Sequence, residues 1–470
     1  MSFHEQQCGA DRLRCRTSVS IAAALFAAFL HGENLPAQGL ADPLPAMLAA
    51  ADSTSPATIE PAPLADPTIA TLSYEPALPS ASGPQVETLS ATGEPREIRA
   101  TPRRFHYALA LDVRASYDDN ISLAQNHKID GTFLRFQALL TLGLGDIEGR
   151  EGNYLRLDYT PSAFLYLDNS DFNTIDHLVK LEGYHRFSRL ALTFSQDIQS
   201  SQSSSIETAN TSGTFINGAS VDTGGRRRLT SYGTRANASY DLTGKTSLTG
   251  GLSYSATDYG SLISSQTIAG TIAIDYRYGP KLTFGLAGTA GKNLVDAPSP
   301  DQTFEQLNLR GTYEVTGKVS ANASAGVEVR QLASGANDHV SPVFELGLTY
   351  LPFDGTSLNL TASRQTLNSS TLAGEDFSST QFVATFRQRL FRRFSVGLSG
   401  GYQNLSYFSA VNGRTTNRED NYSFVQPSLD VKLTNFWSAG VYYLHRDNQS
   451  SLSSFGFNEN QVGFHSGIRF

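Results

Sequence analysis

Charged residues recur at every second position in several segments of this 470-residue chain, and this spacing indicates where chemistry could occur. Successive side chains of a β-strand point to opposite faces, so charges two residues apart share one face. Asp112 and Arg114, Arg156 and Asp158, and Glu328 and Arg330 all have this spacing. Such charges could pair and brace a wall, or they could line a water-filled passage and select for charge.

The charges predicted for this polar face are mainly basic. The predicted pore-lining residues are Arg114, Arg135, Arg156, Arg235, Arg277, Arg310, Arg330, Arg387, Arg389, Lys432, Asp112, Asp158, Glu328 and Glu345. Six more charges complete a set of thirteen basic and seven acidic side chains: Lys180, Arg446, Arg469, Glu182, Asp275 and Asp430. An excess of Arg and Lys in a low-dielectric wall predicts a preference for anions. Pairing of these charges across strands is an equally open alternative.

Residue patterns for catalysis are weak. His465 and Ser466 are adjacent, but neighbouring strand residues face opposite sides, so they cannot form a nucleophile–base dyad. Asp338 and His339 fall in a predicted loop, where any exposed segment could carry such a pair. The nine histidines show no HExxH or other metal-binding spacing. The sequence therefore predicts no enzyme, no metal and no cofactor.

The elements that must position these charges are long β-strands. From Phe105 to Tyr117 the odd positions are apolar or aromatic, and the even positions include Asp112 and Arg114. The same period of two recurs over 320–330 and 461–470. We predict eighteen strands, near 105–117, 132–144, 153–167, 176–185, 188–198, 229–241, 246–257, 265–278, 281–292, 302–314, 318–331, 340–351, 356–366, 378–390, 393–407, 421–433, 435–447 and 458–470.

This pattern predicts an all-β fold, a transmembrane up-and-down antiparallel β-barrel. Each predicted strand is long enough to cross a bilayer at a tilt, which takes about 9–11 residues. Only 17% of the residues are charged and only 40% are hydrophobic, which suits a wall with one apolar and one small polar face. Short turns alternate with longer polar loops, as in outer-membrane barrels. With the N-terminal linker on the periplasmic side, the even strand count predicts that both termini are periplasmic.

The first hundred residues differ from the rest. Arg12, Arg14 and Arg16 precede a short apolar run, Ile21 to Leu30, which is typical of a secretory signal peptide. We predict a signal peptide over 1–37, a Pro- and Ala-rich disordered periplasmic linker over 38–102 and the barrel over 103–470. Cys8 and Cys15 both precede the apolar run, so the processed chain would contain no cysteine.

The longest predicted loop, 199–228, ends in Arg226-Arg227-Arg228. These arginines could contact lipopolysaccharide phosphate, or they could form a solvated rim.

The end of the chain, with Phe464, Ile468 and a terminal Phe470, resembles the C-terminal signature of Gram-negative outer-membrane proteins. That resemblance implies recognition of the last strand by the barrel-assembly machinery. The layout of 105–470, with Tyr117-Asp118-Asp119-Asn120-Ile121 after the first strand, resembles the β-barrel porin 2 family. That family includes outer-membrane proteins found with exopolysaccharide operons, and it implies a barrel in the outer membrane, in contact with its lipid and lipopolysaccharide.

Two functions are compatible with these patterns. The first is a porin-like channel for passive or export-coupled passage of polar solutes, anions or saccharides. The alternative is a non-conducting structural or recognition barrel whose external loops bind a partner. Neither function involves nucleic acid. The sequence leaves open whether an external loop folds into the lumen, and conductance would separate the two functions.

Overall fold

The computed structural model describes residues 105–145, 153–202, 221–316, 318–332, 338–411 and 418–469. The predicted signal peptide and linker, residues 203–220 of the predicted loop 199–228, and Phe470 lie outside these residues. No helix of the described part is long and apolar enough to cross a membrane.

Eighteen antiparallel strands form one sheet, which confirms the predicted fold class. They are β1 (Phe105–Asp118), β2 (Gly131–Gly145), β3 (Tyr154–Tyr166), β4 (Thr174–Arg186), β5 (Leu190–Gln202), β6 (Arg228–Asp241), β7 (Thr246–Asp258), β8 (Ser265–Arg277), β9 (Leu282–Val295), β10 (Gln302–Thr316), β11 (Val319–Gln331), β12 (His339–Tyr350), β13 (Thr356–Asn368), β14 (Glu375–Leu390), β15 (Phe394–Ser409), β16 (Glu419–Lys432), β17 (Trp437–Ser450) and β18 (Phe457–Arg469).

The sheet closes on itself through β1 and β18. Their ladder runs from the pair Ala110 and Arg469 to the pair Asp118 and Gln461. Every other strand pairs with its two neighbours along the chain. Closure leaves no sheet edge exposed to lipid, where an unpaired backbone amide would be costly.

The two faces of the wall differ as the alternation predicts. In β1, Asp112 and Arg114 are each only 1% exposed, whereas Leu111 and Val113 are each 42% exposed. Leu252, Ile272 and Leu309 are each 69% exposed on the outer face. Large apolar side chains thus form a belt around the ring, and polar side chains occupy the inside.

The two ends of the barrel also differ. We call the end where β1 begins the turn end, because short connections such as 187–189 and 391–393 lie there. The opposite end carries longer connections, including 119–130 between β1 and β2 and 203–227 between β5 and β6, and we call it the loop end.

Candidate functional site

The pairing register places all fourteen predicted pore-lining residues on the inner-face positions of their strands. Asp112 and Arg114 on β1, for example, pair with Gly467 and His465 of β18, which lie on the inner face of that strand. Arg310 pairs with Gly285 of β9 in the same way. Their role in lining a conducting pore remains a prediction.

The balance of charge inside differs from the sequence-based expectation. The structure adds one basic and eight acidic side chains on inner strand positions: Arg186, Asp118, Asp176, Asp197, Asp241, Glu314, Glu375, Asp420 and Glu459. Fourteen basic and fifteen acidic side chains therefore face inward among the described strands. The predicted excess of base is wrong for the interior as a whole. Three strands extend further at the loop end than expected and carry Asp118, Glu375 and Asp420 there. The other added acids lie within the predicted strands, on positions that the register places inside.

Many inner charges are paired. Arg156 lies 2.8 Å from Asp158, and Arg330 lies 2.9 Å from Glu328, as the spacing of two residues predicts. Similar pairs form between Lys180 and Glu182, Arg310 and Asp275, and Arg446 and Glu459. These contacts support the bracing interpretation for much of the predicted set.

Asp112 has partners on both neighbouring strands. Its carboxylate lies 3.3 Å from the Arg135 guanidinium of β2 and 3.5 Å from His465 Nδ1 of β18. The Arg114 guanidinium lies over the Tyr442 ring, 4.7 Å from its centre. Contacts across strands thus add to those that the spacing of two residues predicts.

One part of the wall is lined by small polar side chains. The inner faces of β6 to β9 include Thr249, Gly251, Ser253 and Ser255, the residues whose small size favours a polar permeant. Hydroxyl groups also contact each other across strands, as between Thr271 and Thr289 at 2.9 Å. This surface can exchange hydrogen bonds with water or with a hydroxylated solute without placing bulk in its path.

A segment that enters the barrel closes its loop end. Residues 221–227, which we call the strap, connect to β6 at Arg228. Within the strap, Val221, Asp222 and Thr223 are 1%, 0% and 3% exposed. The groups that bury them belong to β15 and the connections beside it, on the far side of the ring from β5 and β6. The strap therefore crosses the mouth of the barrel.

The Asp222 carboxylate is the centre of this closure. It accepts hydrogen bonds from the Ser370 backbone N–H at 2.6 Å and the Ser370 hydroxyl at 2.7 Å. The hydroxyls of Ser369 and Tyr407 donate to it at 2.9 and 2.8 Å. Arg418 Nη1 lies 3.2 Å away and forms an ion pair with it. One buried carboxylate thus joins the strap to three other parts of the loop end.

Arg418 fixes the same junction from the other side. Its guanidinium also pairs with Asp420 at 2.7 Å and is 0% exposed. The rings of Tyr407 and Phe455 lie on it, with centres 4.4 and 3.5 Å from the guanidinium carbon. Two carboxylates and two aromatic rings thus surround this buried guanidinium.

An apolar cluster seals the closure below these polar contacts. Its buried members come from the strap, from the β1–β2 connection and from β14 to β18: Leu123, Val221, Phe377, Leu405, Tyr407, Tyr422, Phe424, Tyr442, Leu444 and Phe457. The connection between β7 and β8 also contacts the closure, because Ile263 N–H donates to Ser370 O in the connection between β13 and β14, at 2.9 Å. Burial, helped by the nearby Asp222 carboxylate, raises the pKa of Tyr259 in that connection, so its phenol stays neutral.

The first of the three consecutive arginines lies inside this assembly. Arg226 donates to the Tyr166 hydroxyl at 2.6 Å and lies over the rings of Tyr166 and Phe172, at 5.0 and 5.4 Å. Arg226 therefore contacts other connections of the loop end, and the two interpretations of the triplet, lipopolysaccharide contact or a solvated rim, stay predictions. The neighbouring Arg227 and Arg228 are exposed.

The residue pairs considered for catalysis are not assembled for it. His465 lies inside, with Nε2 2.9 Å from Asp430, whereas Ser466 accepts a hydrogen bond from the outer Trp437 indole at 2.8 Å. His339 stacks on Phe408 with ring centres 3.8 Å apart. Among the residues that the structure describes, no group of three His, Cys, Asp or Glu side chains could hold a metal ion.

Sequence patterns missed the closure residues. Three of them, Asp222, Arg418 and Tyr407, lie in or beside predicted loops. Asp222 is 185 residues from Tyr407 and 196 residues from Arg418 along the chain, so no local pattern connects them. The one local signal is Val221-Asp222 followed by Gly224-Gly225, an apolar–acidic pair and a glycine turn within a polar loop.

Comparisons with known proteins concern the fold. No protein-family model matches the chain, and no curated protein matches it. The outer membrane protein OpdK from Pseudomonas aeruginosa aligns with 78% of this chain and 99% of its own, at 12% identity and a TM-score of 0.40. OccK2 (OpdF) from the same organism, in complex with glucuronate, aligns with 79% and 99%, at 12% identity and a TM-score of 0.41. Similarity at this level concerns barrel architecture alone, and the resemblance to the β-barrel porin 2 family stays a prediction.

Proposed function

We propose that this protein is an outer-membrane channel for polar solutes and saccharides, with a loop end that is closed at rest. The observation that carries this proposal is the closed ring of eighteen strands, apolar outside and hydrophilic inside. A barrel of 16–18 strands encloses an aqueous channel unless loops fill it. The proposal includes no catalytic step.

The predicted topology gives this channel a direction. In the proposed orientation the turn end faces the periplasm, where the signal peptide (1–37) would be removed and the linker (38–102) would lie. The outer belt would contact lipid and lipopolysaccharide, and the last strand, ending in Phe470, would be read by the barrel-assembly machinery.

The path of a solute would follow the wall formed by β6 to β9, which is lined by Ser, Thr and Gly. Passage requires the strap to leave its site, because its buried residues stand across the mouth. Export-coupled passage suits this arrangement, since a partner or the solute itself could supply the energy of release.

We expect the open channel to have a weak preference for anions, which arises from basic residues at its turn end. Arg387 and Arg389 lie on inner positions of β14 close to that end, and the described turns carry mainly basic residues. A low-dielectric wall focuses their potential on an entering solute. Changing both to glutamine should lower the anion-to-cation permeability ratio about two- to five-fold, or roughly 0.4–1 kcal/mol.

Reversal potentials in a salt gradient measure this ratio. Lys128→Gln, at the loop end, is the matched control and should leave it unchanged. Cation selectivity of the unaltered channel in dilute salt would refute the anion preference.

The alternative, a non-conducting recognition barrel, is favoured by one observation: Asp222 and Arg418, which hold the strap at the β15 side of the mouth, are 0% and 3% exposed. Planar-bilayer recording separates the two functions. A channel should show conductance steps once the strap is released, with block by the saccharide it carries. A recognition barrel should show none with or without the strap in place.

A further inference from the structure

The connections at the turn end share a composition that the channel function does not require. Six of them are fully described, and we call them together the turn collar: 187–189, 242–245, 278–281, 351–355, 391–393 and 433–436. Each contains a large exposed apolar side chain: Phe187, Leu242, Tyr278, Phe353, Phe391 and Phe436, from 43% to 88% exposed.

Basic side chains accompany these apolar ones. Arg189, Lys245, Lys281, Arg392 and Arg393 lie in the collar and are exposed, and Lys432 immediately precedes its last turn. Lys318 Nζ donates to Pro352 O at 3.0 Å, which brings a further cation to the turn at 351–355. Asp354 is the one acidic residue within the collar. The described loop-end connections instead carry more acids than bases, for example Asp168, Asp171, Asp296 and Asp301.

The turn from β14 to β15 exposes both an aromatic and a basic side chain. Phe391 and Arg392 have φ of 48° and 64°, the left-handed region that glycine or asparagine usually occupies in such turns. Phe391 is 88% exposed, the highest value among the large exposed apolar side chains that the structure describes. A bulky aromatic and an arginine thus stand at a position where a glycine would fit with less strain.

We propose that the turn collar binds anionic phospholipid headgroups in the leaflet at the turn end. Aromatic side chains prefer the boundary between hydrocarbon and headgroups, and adjacent Lys and Arg side chains can reach lipid phosphates. The pattern is repeated around the ring instead of being gathered into one patch. Lipid surrounds a barrel on all sides, whereas a docked protein partner would need a contiguous surface on one side. The inference rests on the proposed membrane-spanning function, but not on conduction.

The chain contains its own probe for this proposal. Its single tryptophan, Trp437, begins β17 directly after the last collar turn and is 41% exposed. Arg393 and Lys432 are on the neighbouring strand ends, where Lys432 N–H donates to Arg393 O at 2.7 Å. Bromine on lipid chains quenches tryptophan at contact distance, so Trp437 reports which lipids occupy this site.

The experiment places the full barrel in vesicles of phosphatidylcholine and phosphatidylglycerol at one fixed ratio, with either lipid brominated. We expect brominated phosphatidylglycerol to quench Trp437 more than its share of the bilayer predicts, and high salt to reduce this preference. Each basic residue near an anionic membrane surface strengthens the attraction to that surface about five-fold. The variant Arg392→Gln/Arg393→Gln should lose the preference, whereas Lys292→Gln, at the loop end, should retain it.

Quenching in proportion to bulk composition would overturn the proposal, as would a preference that survives in the double variant. An acidic periplasmic protein that binds the collar in detergent, without any lipid preference in vesicles, would also overturn it and favour a protein partner. The experiment measures lipid contact and not conductance. A negative result therefore refutes lipid binding without refuting the channel function, and a barrel that does not conduct could still show the lipid preference.

Discussion

Replacing Asp222 with alanine is expected to convert the reconstituted protein from a closed barrel to one with stable conductance steps. The substitution removes the acceptor for Ser369, Ser370 and Tyr407 and one of the two carboxylates that pair with Arg418. Removing one partner of a buried ion pair costs about 3–5 kcal/mol. The ratio of open to closed states should therefore rise on the order of a hundred- to a few thousand-fold, as open probability in single-channel recordings.

Asp168→Ala is the matched control, because it makes the same chemical change in an exposed loop-end connection. A second variant tests the strap by shape instead of charge. Gly224 has a φ of +59°, and a Cβ there would lie 2.5 Å from Phe455 Cδ1. Gly224→Val should therefore also prevent the strap from packing at the mouth. If both variants conduct no more than the wild type, the strap does not gate a channel, and the recognition function gains support.

Replacing Arg330 with methionine is expected to destabilise the barrel strongly. The guanidinium is 0% exposed and contacts Glu328 at 2.9 Å, Asp376 at 3.4 Å, and the side-chain oxygen of Gln302 at 3.0 Å. Methionine preserves much of the side-chain volume but leaves two carboxylates buried without this counter-charge. The free energy of unfolding should fall by about 3–5 kcal/mol, measured by urea titration in detergent micelles with gel mobility as the readout of folding.

If unpaired buried charge causes this loss of stability, neutralising the two acids should restore it. Adding Glu328→Gln and Asp376→Asn to Arg330→Met neutralises both acids, so the triple variant should recover at least half of the lost stability. Arg392→Met, in an exposed turn, should change stability by less than about 0.5 kcal/mol. No recovery in the triple variant would mean that packing, and not the ion pairs, accounts for the loss.

The wall of the barrel was predictable because one local rule governs it. A strand with lipid on one side and water on the other must alternate, and all eighteen predicted strands are present. Errors concentrate at the loop end: β5 continues to Gln202 and β14 begins at Glu375, beyond the predicted bounds of 198 and 378. There the strands leave the apolar belt, so Ser, Gln and Asp on both faces make a strand resemble a loop.

The closure was not predictable, because no local rule governs it. Asp222 is buried by groups that the barrel's curvature brings across the ring, from Ser369 to Arg418. The prediction of ion pairs inside the barrel was limited in the same way, because it used only spacing along one strand. Alternation gave the correct face for Asp112, but its partner Arg135 depends on strand register, which spacing along one strand does not contain.

The seam between β1 and β18 has a consequence for synthesis. The first strand of the barrel to leave the ribosome pairs on one side with β2, but its other side must wait for the last strand made. No shorter nascent chain can close the ring, so a message truncated before 457 would leave the edges of β1 and β17 both open. The ring therefore cannot close before β18 has been made, and until then β1 keeps one edge without a partner strand, exposed to pairing with other chains.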